Sequence, residues 1–226
     1  VTIYDRMDEP GGILMYAIPE YRLPKDKVRQ ITKAIGNMGV VYKQKVNVGE
    51  DIKLEDLANE YDSVFIDTGA WKRNIIGIDG EDLTRFGLEF LVEVKQWMKN
   101  KPGTNVVVIG GGNVAVDVAE TAKRLGARNV TMISLETGDQ LPATKEEIER
   151  AVEEGVVHIG GWGPKTVIRD DVQIKGIQFK KCTRLRDETG RFSPLYDESD
   201  VMAVECDSIL LAVGQQIDLS YLDERL

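Results

Sequence analysis

The stretch "NVVVIGGGNVAVDVAETAKRLGA", residues 105–127, decides the fold of this chain. Val106–Ile109 is a β-branched run, which predicts a buried strand of a parallel sheet. Gly110, Gly112 and Ala115 then follow the G-x-G-x-x-G/A spacing of a dinucleotide-binding turn. In that pattern the first glycine permits the tight turn and the second lets a pyrophosphate approach the backbone. The small third residue lets the following helix pack closely on the strand.

A helix is predicted directly after the turn, beginning near Asn113. Val114, Val118, Ala122 and Leu125 recur every three or four residues, which is typical of an amphipathic helix. The first helical turn offers unpaired N–H groups and the positive end of the helix dipole to an anion, so Asn113 and Val114 are candidate phosphate contacts. A strand before the glycines and a helix after them favour a nucleotide site over a structural glycine turn, which remains the alternative.

The next predicted strand, "NVTMISLE", ends where such folds contact the adenosine ribose. Glu136 lies 24 residues after Gly112, near the position of the acid that bonds the ribose 2′-hydroxyl. A carboxylate there would repel a 2′-phosphate, so the residues favour NAD over NADP. Glu136 as a solvated loop charge is the alternative, and Lys145, the nearest cation downstream, keeps NADP open.

Composition excludes several classes of function. The chain has 226 residues and a net charge of −9, a poor match for nucleic acid or an anionic membrane. Its sequence contains no apolar run long enough to span a bilayer and no signal peptide, so we expect a cytoplasmic protein. Cys182 and Cys206 are far apart and form no C-x-x-C pair, zinc set or iron–sulfur set, so no metal ligands are predicted.

The residues before the glycine turn also alternate between strands and helices. "VTIYD" reads as a strand, and residues 25–38 as a helix with Val28, Ile31 and Ile35 on its apolar face. Residues 40–48 then alternate like a strand, and "LEDLANE" reads as a short helix. Residues 62–70 read as a buried strand that ends in a glycine turn. This order predicts a dinucleotide-binding domain without its first strand and first phosphate loop.

The second half of the chain predicts a complete dinucleotide-binding domain. Residues 156–159 read as a short strand, and residues 172–185 and 200–213 as strands joined by a polar hairpin near residues 187–190. Three or four antiparallel strands would then be inserted before the last parallel strand. The predicted organisation is a partial FAD-binding domain at 1–70, a linker and connecting helix at 71–101, an NAD(P)-binding domain at 102–213 and a return segment at 214–226.

Several motifs together resemble the glutamate synthase small (β) subunit and its relatives among the two-dinucleotide-domain FAD/NAD(P)H oxidoreductases. The matching stretches, in chain order, are "VTIYDRMDEPGGILMYAIPEYRLP", "DTGAW", "IDGEDL", "VVVIGGGNVAVDVAETAKRLGA", "LPATKEEIERAVEEGV" and "DSILLAVGQQID". The resemblance implies an α/β fold with two Rossmann-like domains, of which the first binds FAD and the second NAD(P)H. It also implies that the chain is an internal piece of a longer protein, and that it does not hold FAD by itself.

The resemblance assigns further cofactor-binding positions. These are Asp5 at the FAD adenosine ribose, Gly11, Gly12, Thr68 and Gly69 along the flavin or its diphosphate, Val46 at the adenine, and Gly214 in the return stretch. A surface charge, turn glycines and a core valine are the corresponding structural alternatives. Relatives that use NADPH carry arginines where this chain has Leu135 and Glu136, which puts NADPH in doubt.

The implied reaction is hydride transfer from NAD(P)H to FAD, with electrons passing on to iron–sulfur clusters on another domain or a larger partner subunit. The cofactors carry that chemistry, so no catalytic side chain is predicted. The alternative is a non-catalytic nucleotide-binding or interaction module, because a fold does not by itself secure an activity.

Overall fold

A computed structural model describes residues 1–97 and 101–222 of the chain. These residues form two compact units: an N-terminal unit of residues 1–73 with the C-terminal residues from Gln215, and a central unit, Asn74–Gly214. Met98, at the end of the predicted connecting helix, and residues 223–226 of the predicted return segment lie outside the described residues.

The N-terminal unit is built from short elements. They are β1 (Thr2–Asp5), α1 (Gly12–Tyr16), α2 (Lys25–Asn37), β2 (Val41–Gln44), α3 (Leu54–Glu60), β3 (Lys72–Arg73) and β12 (Gln215–Gln216). β1 and β2 form a parallel pair, and β3 pairs with β12 in the antiparallel sense. The predicted strand–helix–strand order at the start of the chain is therefore confirmed.

Two sequence expectations for this unit are wrong. Residues 62–70, predicted as a buried strand, have no strand assignment, and Phe65 within them is 90% exposed. An apolar run becomes a buried strand only if another strand pairs with it, and the described residues provide none for this segment. Ile31, predicted on the apolar face of α2, is 60% exposed, whereas Val28 is buried as predicted.

The central unit has the larger sheet and the helices that cover it. Its elements are β4 (Arg85–Phe86), α4 (Gly87–Trp97), β5 (Asn105–Ile109), α5 (Asn113–Arg124), β6 (Asn129–Ser134), α6 (Lys145–Glu153), β7 (Val156–Gly160), β8 (Trp162–Asp170), β9 (Gln173–Arg186), β10 (Phe192–Glu205) and β11 (Ser208–Leu211). The sheet is parallel throughout, with the strand order β4-β11-β5-β6-β7. Because β5 lies inside this sheet, the glycine turn follows one of its central strands.

Side chains of β5 alternate between two apolar clusters. Val106 and Val108 pack with the residues of α5, whereas Val107 and Ile109 pack with residues such as Ile177 and Phe179 of β9. Both faces of the parallel sheet are thus covered, which is why the β5 sequence is continuously apolar instead of alternating.

The second cover is a three-stranded antiparallel sheet of order β10-β9-β8. β9 and β10 are joined by a turn in which the Asp187 N–H donates to the Arg191 carbonyl over 2.9 Å and Gly190 has a φ of +82°. The predicted antiparallel insertion before the last parallel strand, β11, is confirmed.

Candidate nucleotide-binding site

Gly110 is the residue at which β5 turns toward α5. Its φ is +145°, and a Cβ at this position would lie 2.3 Å from the Ala212 carbonyl oxygen. Its N–H donates to the Ile133 carbonyl over 2.9 Å, which ties the turn to β6. Both the backbone angle and the close approach of the β11 end therefore require glycine here.

Gly112 is different, because it lies at the open side of the turn. It is the N-cap residue of α5, with a φ of −97°, and the nearest atom to a Cβ built there is Pro142 Cβ at 3.9 Å. Glycine at this cap leaves the first helical N–H groups without a side-chain acceptor from residue 112. Asn113 beside it is exposed, and Val114 is half-buried. This is the end of a helix at which backbone donors can receive a phosphate.

Gly111, which the spacing pattern did not single out, brings the end of β6 against the turn. A Cβ there would lie 2.9 Å from Glu136 Oε2 and 3.0 Å from both Leu141 Cδ2 and Ser134 Cβ. The Gly111 carbonyl also accepts from the Ala143 N–H over 3.0 Å. The only sequence signal for this role is the unbroken run of three glycines.

Glu136 lies two residues beyond the end of β6 and is half-buried. Its carboxylate lies against Gly111, as described above, and its backbone carbonyl accepts from Ser134 Oγ over 2.9 Å. Ser134 Oγ is also 3.0 Å from His158 Nε2. Burial lowers the pKa of His158, so this ring is neutral at neutral pH and acts as a hydrogen-bonding residue.

The next two cations after Glu136 along the chain, Lys145 and Arg150, have carboxylate partners. Lys145 Nζ lies 3.6 Å from a carboxylate oxygen of Glu149, one helical turn away. Arg150 Nε donates to the buried carboxylate of Glu120 over 2.8 Å. Lys145, the sequence candidate for a 2′-phosphate contact, is therefore placed in a surface ion pair.

Gly214, the last residue of the central unit, follows β11 in the loop that passes Gly110. It has a φ of +87°, and a Cβ there would lie 3.0 Å from Asn74 Nδ2. Asn74 Nδ2 donates to the Val213 carbonyl over 3.0 Å, which fixes this loop.

The N-terminal unit contains the positions that the resemblance assigns to FAD. Asp5 and Val46 lie together, because the Val46 N–H donates to the Asp5 carbonyl over 3.0 Å. Asp5 Oδ1 accepts from the Met7 N–H over 2.9 Å.

The FAD glycines occupy turns with positive φ angles. Gly11 and Gly12 begin α1 with φ angles of +126° and +51°. Thr68 Oγ1 lies 3.1 Å from the Tyr221 hydroxyl, and Gly69 has a φ of +71°. Of these three glycines, Gly12 has open space at its Cβ position, whereas a Cβ at Gly11 would lie 2.8 Å from Val28 Cγ1 and one at Gly69 3.3 Å from Trp71 Nε1.

The described residues contain neither a candidate metal site nor a candidate membrane-spanning helix. Within residues 1–97 and 101–222, no group of histidine, cysteine and carboxylate side chains could hold a metal ion. Cys182 and Cys206 are free thiols. No helix in the described ranges is long and apolar enough to cross a bilayer.

One known protein family matches nearly the whole chain. The family model "Pyridine nucleotide-disulphide oxidoreductase" covers residues 4–225. The NADP(+)-dependent formate dehydrogenase subunit beta of Moorella thermoacetica is 35% identical over 100% of this chain and 33% of its own length. The glutamate synthase [NADPH] small chain of Halomonas elongata is 34% identical over 95% of this chain and 48% of its own length. The predicted resemblance to glutamate synthase small subunits is confirmed, and the chain spans between a third and a half of these relatives.

Among solved structures, Mycobacterium tuberculosis FprA in complex with NADPH superposes with a TM-score of 0.80. The two sequences are 16% identical, and the match covers 95% of this chain and 63% of FprA, so the likeness shows the fold alone. The α/β fold class is therefore confirmed. Both curated relatives are named for NADP(+) or NADPH, which weighs against the preference for NAD that Glu136 predicts.

Proposed function

Because the chain belongs to the pyridine nucleotide-disulphide oxidoreductase family, we propose that it is the nicotinamide-nucleotide-binding part of a flavoprotein oxidoreductase. The observation that carries this proposal is Gly112, which opens the N-terminus of α5 at the carboxyl end of a central parallel strand. Ligands in open α/β sheets bind at this edge, outside the carboxyl ends of the strands.

Each residue of the turn has a separate role in the proposed site. Gly110 forms the tight turn against the Ala212 carbonyl, and Gly112 leaves room for the pyrophosphate. The N–H groups of Asn113 and Val114 donate to that pyrophosphate, and the α5 dipole favours its negative charge. Asn113, Val114 and Ala115 are uncharged, so the first turn presents no like charge to a phosphate.

We propose NADPH as the physiological nucleotide. The names of the curated relatives favour it, although Glu136 beside Gly111 is the kind of residue that favours NADH. A chain that accepts NADPH must therefore offset the Glu136 carboxylate with cations from another element.

The N-terminal unit is the proposed site of FAD, with Asp5 and Val46 at the adenosine and Gly11, Thr68 and Gly69 along the diphosphate. When both cofactors are bound, they supply hydride transfer from the nicotinamide to the flavin. The exposed apolar side chains of residues 64–66 support the proposal that this unit takes a further strand from another part of the protein. We further propose that electrons leave toward iron–sulfur clusters on another domain or subunit, since the relatives are named as a subunit and a small chain.

Calorimetric titration of the 226-residue chain with NADP+ and with NAD+ tests the proposal. We expect saturable binding of at least one nucleotide with a stoichiometry of about one. Adenosine is the matched control, because it lacks the pyrophosphate that the glycine turn is proposed to bind. If the folded chain binds neither nucleotide, the proposal fails and the non-catalytic interaction module is favoured. If adenosine binds as tightly as the nucleotides, the glycine turn is not the site.

A further inference from the structure

An open cleft of 330 Å³ lies beside the end of β6, within the central unit. Leu135 and Thr137, the two neighbours of Glu136, line one side of it. Cys182, Arg184 and Arg186 of β9 line the other. The antiparallel sheet therefore contributes two arginine residues to the lining of the cleft beside the end of β6.

The position of this cleft corresponds to one part of a bound dinucleotide. In the proposed site the pyrophosphate lies on Gly112, and the adenosine ribose then reaches the residues just after β6. Burial raises the pKa of the Cys182 thiol, and the charge of Glu136 makes a smaller contribution in the same direction, so Glu136 acts electrostatically on β9. Glu136, the proposed ribose acid, thus lies between two residues that line the cleft, and the arginines of β9 line the same cleft.

The charge of the cleft wall is opposite to that of the chain. Residues 181–186, "KCTRLR", carry three cations and no acid in a protein of net charge −9. Arg186 Nη1 donates to the Gly190 carbonyl over 3.0 Å, which neutralises no charge. Asp187, the next acid along the chain, accepts through Oδ1 from the N–H and hydroxyl of Thr189 and from the backbone N–H of Arg191. These hydrogen bonds, and to a smaller extent the charge of Arg184, lower the pKa of Asp187. Within the described residues, neither Arg184 nor Arg186 forms an ion pair.

We propose that Arg184 and Arg186 bind the 2′-phosphate of NADP(H) in this cleft. This inference rests on the proposed function, because it requires that the glycine turn of the central unit binds a nicotinamide nucleotide. The planar guanidinium fork matches the oxygens of a phosphate, and the hydrogen bonds are charge-assisted. Two guanidinium charges also exceed the single charge of Glu136, so a dianionic phosphate is attracted in spite of that carboxylate.

The inference explains how this chain recognises the 2′-phosphate of NADP(H) although residues 135 and 136 are not arginines. The cations come from β9, about 50 residues later in the sequence, instead of from the loop after β6. Specificity is then determined by the antiparallel sheet, whereas the glycine turn holds the part common to both nucleotides.

The test compares ligands that differ only in the 2′-phosphate. Affinities for NADP+ and NAD+, and for the probes 2′,5′-ADP and 5′-AMP, are measured by calorimetry on the 226-residue chain and on Arg184→Gln and Arg186→Gln. We expect each substitution to weaken NADP+ and 2′,5′-ADP on the order of ten- to a hundredfold, and NAD+ and 5′-AMP by less than about threefold. Arg184→Lys should retain part of the affinity, because it keeps the charge and loses the fork.

Lys175→Gln is the matched control. Lys175 is an exposed cation of the same strand, and its Nζ contacts Gln173 Oε1 at 3.1 Å, away from the cleft. The Lys175→Gln substitution also removes one positive charge, and it should leave the affinities for NADP+, NAD+, 2′,5′-ADP and 5′-AMP unchanged within about twofold.

The outcomes separate this inference from the proposed function. If NADP+ binds tightly and both arginine variants bind it equally well, the arginine assignment is wrong while the nucleotide site stands. If the unmodified chain prefers NAD+ over NADP+, the arginine assignment is likewise wrong while the nucleotide site stands. If neither nucleotide binds to the folded chain, the proposed function and the inference both fail.

Discussion

Alanine substitutions at Gly110 and Gly112 separate the contribution of the glycine turn to folding from its contribution to ligand binding. Gly112→Ala places a methyl group at the open side, where the nearest atom is 3.9 Å away and the φ of −97° is allowed for any residue. Its cost to folding is limited to the weaker N-cap preference of alanine, about 0.5–1 kcal/mol. The same methyl group would occupy the space that the pyrophosphate needs, so we expect nucleotide affinity to fall about tenfold or more.

Gly110→Ala, in contrast, should strongly reduce the stability of the fold. A left-handed φ of +145° costs an alanine about 1–3 kcal/mol. The overlap at 2.3 Å with the Ala212 carbonyl oxygen adds a repacking cost of about 1–3 kcal/mol. We therefore expect a loss of about 2–6 kcal/mol in the free energy of unfolding, out of a typical total of 5–15 kcal/mol.

Urea unfolding followed by circular dichroism measures the free energy of unfolding, and calorimetric titration with NADP+ measures the nucleotide affinity. The expected pattern is that Gly112→Ala folds and binds NADP+ about tenfold or more weakly, whereas Gly110→Ala is strongly destabilised. The reasoning is refuted if Gly112→Ala binds NADP+ with the affinity of the unmodified chain. It is also refuted if Gly110→Ala is as stable as Gly112→Ala.

Three further outcomes are expected. The hydrogen bond from Arg124 holds the pKa of Glu154 below its usual range, so this pair stabilises the fold above about pH 4.3 and loses that effect as the pH falls through the lowered pKa. Arg124→Gln should therefore lower the free energy of unfolding at pH 7 by at most about 1 kcal/mol, and by nothing near pH 2; an equal loss at both pH values would contradict this. A thiol reagent at pH 8 should modify half-buried Cys182 first, with NADP+ slowing the reaction, because burial raises the pKa of Cys206 to about 12; equal rates of modification at both thiols would show that Cys206 is accessible. The 226-residue chain should show no flavin absorbance after purification, because the apolar residues 64–66 of the N-terminal unit are exposed; a stoichiometric flavin band would contradict this.

The strand, turn and helix of the nucleotide site were predictable because their signals are local. The β-branched run of β5, the glycine spacing and the apolar period of α5 all lie within residues 105–127. The predicted strand and helix lie within a few residues of the observed Asn105–Ile109 and Asn113–Arg124. Backbone propensity and periodicity depend on neighbours in the chain, so one sequence is enough to read them.

The strand expected at residues 62–70 shows where that reasoning stops. Its apolar run fits a buried strand, yet Phe65 is exposed, because burial depends on a second strand that the sequence pattern does not report. Gly111 is a similar case. Its neighbours Glu136 and Leu141 come from 25 to 30 residues further along the chain, and no periodicity relates them.

The sequence by itself determined the α/β class and predicted the glycine turn and a ribose-side role for Glu136. Only the tertiary structure decided which cations lie near the end of β6. Lys145, the nearest in sequence, pairs with Glu149, whereas Arg184 and Arg186 line the cleft from β9. The physical reason is that a charge acts through space, over distances that depend on how the antiparallel sheet packs against the parallel one.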